Sequence, residues 1–311
     1  MRSRLAVLVA LVIAAAAVFF VVSRFVWPAA RASTSLPSDQ ASYLGVYESG
    51  PPHTYQPVAD FASATGTEPN LVGYYSGWGE RFQASFAEAV RQHGAATILQ
   101  WDPTGVLISV IADGGYDSYL RSFAQSVRDF GYPVIIGFGH EMNAPWYSWG
   151  YGNVPPSTFV AAWRHIVTLF RAEGADNVTW LWTLQADEPG TGPIASWWPG
   201  ARYVTWVGID GYYYRPSDTF ASVFGKTIAQ VRGFTTLPVL LSETAVGPEA
   251  GQNQKIPDLF AGMRHYDTLG LMWFDIAQDD GIYHQDWHLE DYPAAVTAFR
   301  QAASTMTLAH P

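Results

Sequence analysis

The sequence predicts a single (β/α)8 barrel, on three observations. Eight short β-rich runs alternate with segments whose apolar residues recur at helical spacing. The runs are apolar enough to be buried on both faces, as the strands of a parallel sheet are. No Gly-rich phosphate loop follows the first run, which removes the main argument for a doubly wound open sheet. A barrel of about 250 residues and a short N-terminal appendage account for the length.

The strands are read at YLGVYE (43–48), LVGYYS (71–76), ATILQW (96–101), PVIIGFGHE (133–141), VTWLWTL (178–184), YVTWVGIDGY (203–212), PVLLSE (238–243) and LGLMWFDI (269–276). Between them lie amphipathic segments such as Phe82, Phe86, Ala89 and Val90, or Phe159, Trp163, Ile166, Val167 and Phe170. Eight β-then-α units are expected, and the domain is placed at residues 41–308. Ahead of it, Arg2 and Arg4 precede an uncharged apolar run from Leu5 to Val22, the pattern of an export signal. The run approaches the length of a membrane span, yet AARAS (Ala29 to Ser33) offers an A-x-A cleavage site. Residues 1–27 are therefore read as a signal-anchor or a signal peptide, and residues 28–40 as a linker. Either way the remainder is expected outside the cytoplasm, membrane-anchored or secreted.

Composition narrows the chemistry. Charged residues are 14% of the chain and aromatics 15%, with 13 Trp, and the formal net charge is −10. Phosphate polymers need a basic stripe, and none is present, so no nucleic-acid partner is expected. Without cysteine there is no disulfide, thiol nucleophile or Cys-ligated zinc. HEMNA is not HExxH, because Ala144 stands four residues after His140. Few charges and many rings suit a carbohydrate cleft, and a polysaccharide or oligosaccharide substrate is the expected partner of a monomer.

In such barrels chemistry sits at the C-terminal ends of the strands. By strand parity Ile135, Gly137, Gly139 and Glu141 share one face of the fourth strand, and Val239, Leu241 and Glu243 one face of the seventh. Each set ends in a glutamate, so two carboxyls are expected in one mouth. Two carboxyls about 5–5.5 Å apart, one protonated and one ionised, are what a retaining glycosidase needs. A mouth ion pair or a helix cap would explain either glutamate alone less specifically. Glu48, ending the first strand, is read as a cleft residue or as half of a mouth salt bridge.

HEMNAPWYSWG (140–150) and PVLLSETA (238–245) resemble glycoside hydrolase family 26. The resemblance implies that Glu141 is the acid/base, with His140 beside it, and that Glu243 is the nucleophile. It implies, through GIDGY (208–212), that Tyr212 contacts the nucleophile, although Tyr213 and Tyr214 compete for that role. It further implies Trp273 as a floor for the sugar, with core packing as the alternative, and Trp146 as another sugar contact. Trp101 is carried over as a sugar contact from the third strand. There the family's mannanases have Trp-His and this chain has Trp101-Asp102, which bears on the substrate. The fifth strand ends in Gln185, where a Ser-Pro-Asn-like turn is expected.

The function expected is thus an exported, retaining endo-β-glycanase, first of all a β-1,4-mannanase, requiring no cofactor or metal. Mixed-linkage β-glucan and β-1,3-xylan are alternative substrates. A surface-anchored transglycosylase and a non-catalytic sugar-binding protein are the alternatives of other classes. Asp275, Asp279, Asp280 and His284 are read as a solvated loop ahead of a cation site.

Overall fold

A computed structural model describes residues 36–278 and 285–311. Thr34–Pro311 forms one compact unit. The apolar run Leu5–Val22 and residues Asp279, Asp280 and His284 lie outside the described residues. Among the described residues, no helix is long and apolar enough to cross a membrane.

Eight parallel strands close in chain order, the eighth pairing with the first. They are β1 (Tyr43–Glu48), β2 (Leu71–Gly77), β3 (Ala96–Asp102), β4 (Val134–Phe138), β5 (Val178–Gln185), β6 (Trp206–Asp210), β7 (Val239–Thr244) and β8 (Gly270–Asp275). Around them lie α1 (Gln56–Thr65), α2 (Ala84–Gln92), α3 (Ile108–Ala112), α4 (Asp117–Phe130), α5 (Pro156–Ala172), α6 (Lys226–Arg232), α7 (Gln252–His265) and α8 (Pro293–Ala303). A two-stranded hairpin, β9 (Ala277–Gln278) with β10 (Gln285–Asp286), follows β8.

Alternation divides each strand between two cores. Tyr43, Tyr47, Leu71, Ile98, Ile135, Leu181, Trp206, Leu240 and Met272 form the cluster inside the barrel. Val46, Val72, Leu99, Ile136, Trp182, Ile209, Leu241 and Leu271 face outward and pack with the helices. The interior tolerates large rings because small residues face them. A Cβ on Gly73 would lie 2.2 Å from the Tyr47 ring, so glycine there is what admits that ring.

Two expectations are corrected. Between β5 and β6 there is no α-helix, only the 3-10 turns Ile194–Trp197 and Ala201–Tyr203. Pro189, Gly190, Gly192, Pro193, Pro199 and Gly200 crowd this stretch, and such residues do not sustain a helix. Secondly, Leu36–Gln40, read as linker, packs on the barrel. Leu36 is buried in the interior cluster, Tyr43 donates to the Pro37 carbonyl, and the Trp206 indole donates to Ser38.

Candidate active site

Glu141 does not sit on a strand face. β4 ends at Phe138, and both Gly139 (φ 55°) and Glu141 (φ 53°) are left-handed. That conformation costs a non-glycine residue on the order of 1–2 kcal/mol. It is held by a hydrogen bond from the Glu141 amide to the Thr183 carbonyl at 3.0 Å and by the Gly139 amide on the Trp101 carbonyl at 2.9 Å. The turn, not strand alternation, aims the carboxyl.

Glu243 is re-aimed too. Its parity partners Val239 and Leu241 pack against the helices, whereas Leu240 is inside the barrel. Between Gly208↔Leu240 and Asp210↔Glu243, β7 carries one residue more than β6, and the register to β8 shifts in the same stretch. Such a β-bulge changes which face the following side chain takes. Glu243 consequently enters the mouth although its parity partners face outward.

The two glutamates meet in a cleft of about 700 Å³ lined also by Tyr75, Asp102, His140, Trp146, Tyr147, Gln185, Glu188, Tyr212, Tyr214 and Phe274. One carboxylate oxygen each of Glu141, Asp210 and Glu243 lies within 4.8 Å of the others. Tyr75 donates to Glu243 Oε1 at 2.5 Å and Tyr212 to Oε2 at 2.8 Å. The Trp146 indole donates to Glu141 Oε2 at 2.6 Å. His140 donates from Nδ1 to Asp102 at 2.8 Å and from Nε2 meets the Tyr147 hydroxyl at 3.0 Å.

Burial governs the charges. It raises Glu141 first of all; His140 pulls the other way, the Glu243 charge adds to the rise, and the carboxyl settles at about 7. Of the causes that raise it, desolvation is thus the larger and the neighbouring carboxylate the next. Glu243 is raised by burial as well, but His140 and the two tyrosine hydroxyls oppose it. Burial would lower His140, yet Asp102, then Glu243 and Glu141, hold it up at about 9. It is therefore an imidazolium at neutral pH, a cation between two acids. Asp210, beneath them, is pushed well above the carboxylate range by burial and by Glu243 and Glu141. The Ser242 hydroxyl, donating to Asp210 at 2.5 Å, opposes that rise.

Of the residues singled out in the sequence, Glu141, Glu243, His140, Trp146 and Tyr212 come together here. Trp101 and Trp273 do not, and both are corrected. Trp101 is 0% exposed and stacks on Phe123 of α4 at 4.3 Å, because its neighbour Gln100 takes the interior position. Trp273 is also 0% exposed; its indole donates to Asp275 and to the Trp287 carbonyl, and its ring meets Phe299 of α8 edge-on. One residue along each strand, Asp102 and Phe274 line the cleft instead. Glu48 lies outside it, against Asp275 and Glu290.

Tyr75 was missed, although Leu71, Gly73 and Tyr75 share a face that ends at the mouth. Tyr147 and Glu188 were missed as well. Gln185 lines the cleft; its amide and carbonyl clasp the Asn143 side chain, and its own side chain donates to Glu188 at 3.2 Å. Two groups of described residues have donor spacing that could hold a metal ion, the buried Glu141, Asp210 and Glu243 and the more exposed Asp286, His288 and Asp291.

The model of glycosyl hydrolase family 26 matches residues 107–303. Endoglucanase H of Acetivibrio thermocellus is 27% identical over 262 residues, 79% of this chain and 28% of that protein. The mannan endo-1,4-β-mannosidase of Bacillus subtilis is 26% identical over 203 residues, 59% of this chain and 49% of that one. The chain thus spans about a quarter to a half of the length of these relatives. Among solved structures, the catalytic domain of the Bacillus sp. JAMB-750 endo-β-1,4-mannanase superposes with a TM-score of 0.66 at 16% identity, covering 87% of each chain, a likeness of fold.

Proposed function

The chain belongs to glycosyl hydrolase family 26, and from that premise we propose that it is a retaining endo-β-glycanase with Glu243 as nucleophile and Glu141 as acid/base. The observation that carries this reading is the approach of the two carboxyls to within 4.8 Å, the short separation of a double displacement. The ionised Glu243, held on both oxygens by Tyr75 and Tyr212, attacks the anomeric carbon while Glu141 gives its proton to the departing oxygen. Once the ester forms, the Glu243 charge is gone, the acidity of Glu141 rises, and it takes a proton from the incoming water. His140, cationic on Asp102, offsets the negative charge of the pair. Trp146 and Phe274 supply ring faces to the C–H faces of a pyranose.

β-1,4-Mannan is the first substrate to test, as the sequence motifs imply and as the B. subtilis relative's name agrees. A second reading, β-glucan, is favoured by the longer match to an endoglucanase. Export is supported by Arg2, Arg4 and the run Leu5–Val22. The test is a product screen on mannan, glucomannan, lichenan and β-1,3-xylan, with Glu243→Ala as control. The reading expects oligosaccharides from at least one polymer and none from the variant; release by the variant, or by neither on any polymer, overturns it.

A further inference from the structure

A second cavity, of about 640 Å³, opens beside the loop that follows β2 and runs along α4. Its volume is close to that of the catalytic cleft, large enough for a small ligand. The floor is aromatic: Phe82 and Phe123 lie 6.0 Å apart between ring centres, and Tyr116 and Tyr119 stand half-exposed above them. Its side is hydroxylic. Ser118, Ser122 and Ser126 occupy successive turns of α4, about 6 Å apart along the helix, and all three line the cavity. Arg81 is the one charged lining residue, and it makes no ion pair among the described residues.

Rings on one side and a row of hydroxyls on the other match the two faces of a pyranose chain, whose C–H groups seek apolar faces and whose hydroxyls seek hydrogen bonds. A lipid chain would leave the serine row unused, and a polyanion would meet a single cation. The lining residues of the groove are all different from those of the cleft, and an aromatic stack anchors its tyrosines to the barrel. Trp78, three residues after Tyr75, stacks on Trp101 at 5.0 Å, and Tyr116 and Tyr119 pack edge-on against Trp78 at 5.4 and 5.2 Å. Tyr119 ties the loop down by donating to the Glu80 carbonyl at 2.6 Å.

We propose that this groove is a second, non-catalytic binding site for a segment of neutral β-linked polysaccharide, and that it keeps the polymer on the enzyme between cleavages. The proposal rests on the glycanase reading for its ligand class. Its residues make none of the catalytic contacts, so the two fail separately. Ser122→Arg and, independently, Ser126→Arg place a bulky cation in the groove from exposed helix positions, which leaves the core untouched. In a Glu243→Ala background, affinity electrophoresis through gels containing glucomannan or lichenan is expected to show retention about fivefold weaker or more for each variant, a change of roughly 1 kcal/mol in binding. In the otherwise unaltered enzyme, the same substitutions should leave hydrolysis of a short aryl glycoside unchanged. Equal retention with and without the arginines, or no retention of Glu243→Ala at all, overturns the second site. Loss of retention in a chain that hydrolyses nothing would keep the site and overturn the glycanase reading alone.

Discussion

Tyr75, at the end of β2, and Glu243, on the bulge of β7, are joined across the barrel mouth by a 2.5 Å hydrogen bond. Tyr47 stacks on the Tyr75 ring at 5.1 Å and fixes its direction, and the absent side chain of Gly73 leaves room for Tyr47. A hydrogen bond to a charged acceptor contributes about 1.5–3 kcal/mol, so Tyr75→Phe should lower kcat by roughly 10- to 100-fold. The removed donor also destabilises the carboxylate, which raises the Glu243 pKa and moves the acid limb of the pH–rate profile upward. Kinetics across pH check both effects; an unchanged acid limb would deny Tyr75 its part in keeping Glu243 ionised.

Glu141→Ala should slow substrates with poor leaving groups far more than activated aryl glycosides, which depart with little protonation. The left-handed backbone at Glu141 makes the control straightforward, since Glu141→Gln keeps the side chain's shape and Glu141→Gly relieves the turn. Paired kcat/KM values on an aryl glycoside and an oligosaccharide decide it. Equal losses on both would count against an acid/base role.

The exchange of places between Trp273 and Phe274 has a measurable consequence. Trp273→Ala should destabilise the fold by about 3–5 kcal/mol, as emptying a buried aromatic site does. Phe274→Ala should instead raise KM for the polymer at little cost in Tm, because its ring faces the cleft. Thermal unfolding and steady-state kinetics on the two variants should therefore diverge.

Stability should fall as pH rises. Glu141 holds its proton in the folded protein up to about 7, and Glu48 up to about 8, while the unfolded chain releases both near 4.5. Over that interval the native state binds more protons, so each unit of pH weakens it. His140 acts with the same sign. Its folded pKa of about 9 lies above the free value of 6.5, so its contribution is complete below 6.5 and lost as pH passes 9. Tm measured across this range should decline, and Glu141→Gln should flatten the decline between about 4.5 and 7.

Much of the fold was legible because strand burial and helix spacing are local signals. The β5–β6 helix was expected only from the repeat of β-then-α units, and the local prolines and glycines at 189–193 and 199–200 override it. At the site, the glutamates were legible as residue types at strand ends, but not the means of aiming them. Parity placed Glu243 with Leu241, and only the bulge separates them. It also takes the closed barrel to show that Trp101 and Trp273 face the helices, since an apolar strand buried on both sides gives alternation no polar face to mark. Tyr75 was within reach of the same parity argument, as Leu71, Gly73 and Tyr75 alternate up to the mouth.

The central claim is a double displacement by Glu141 and Glu243, and the stereochemistry of the first-formed product tests it most directly. With one oxygen of each carboxyl inside 4.8 Å, the pair has the short separation of a retaining glycosidase, and the product is expected to keep the substrate's configuration. Proton NMR of the wild-type reaction, recorded before mutarotation, should show the β-anomer appearing first. Appearance of the α-anomer first would contradict the account.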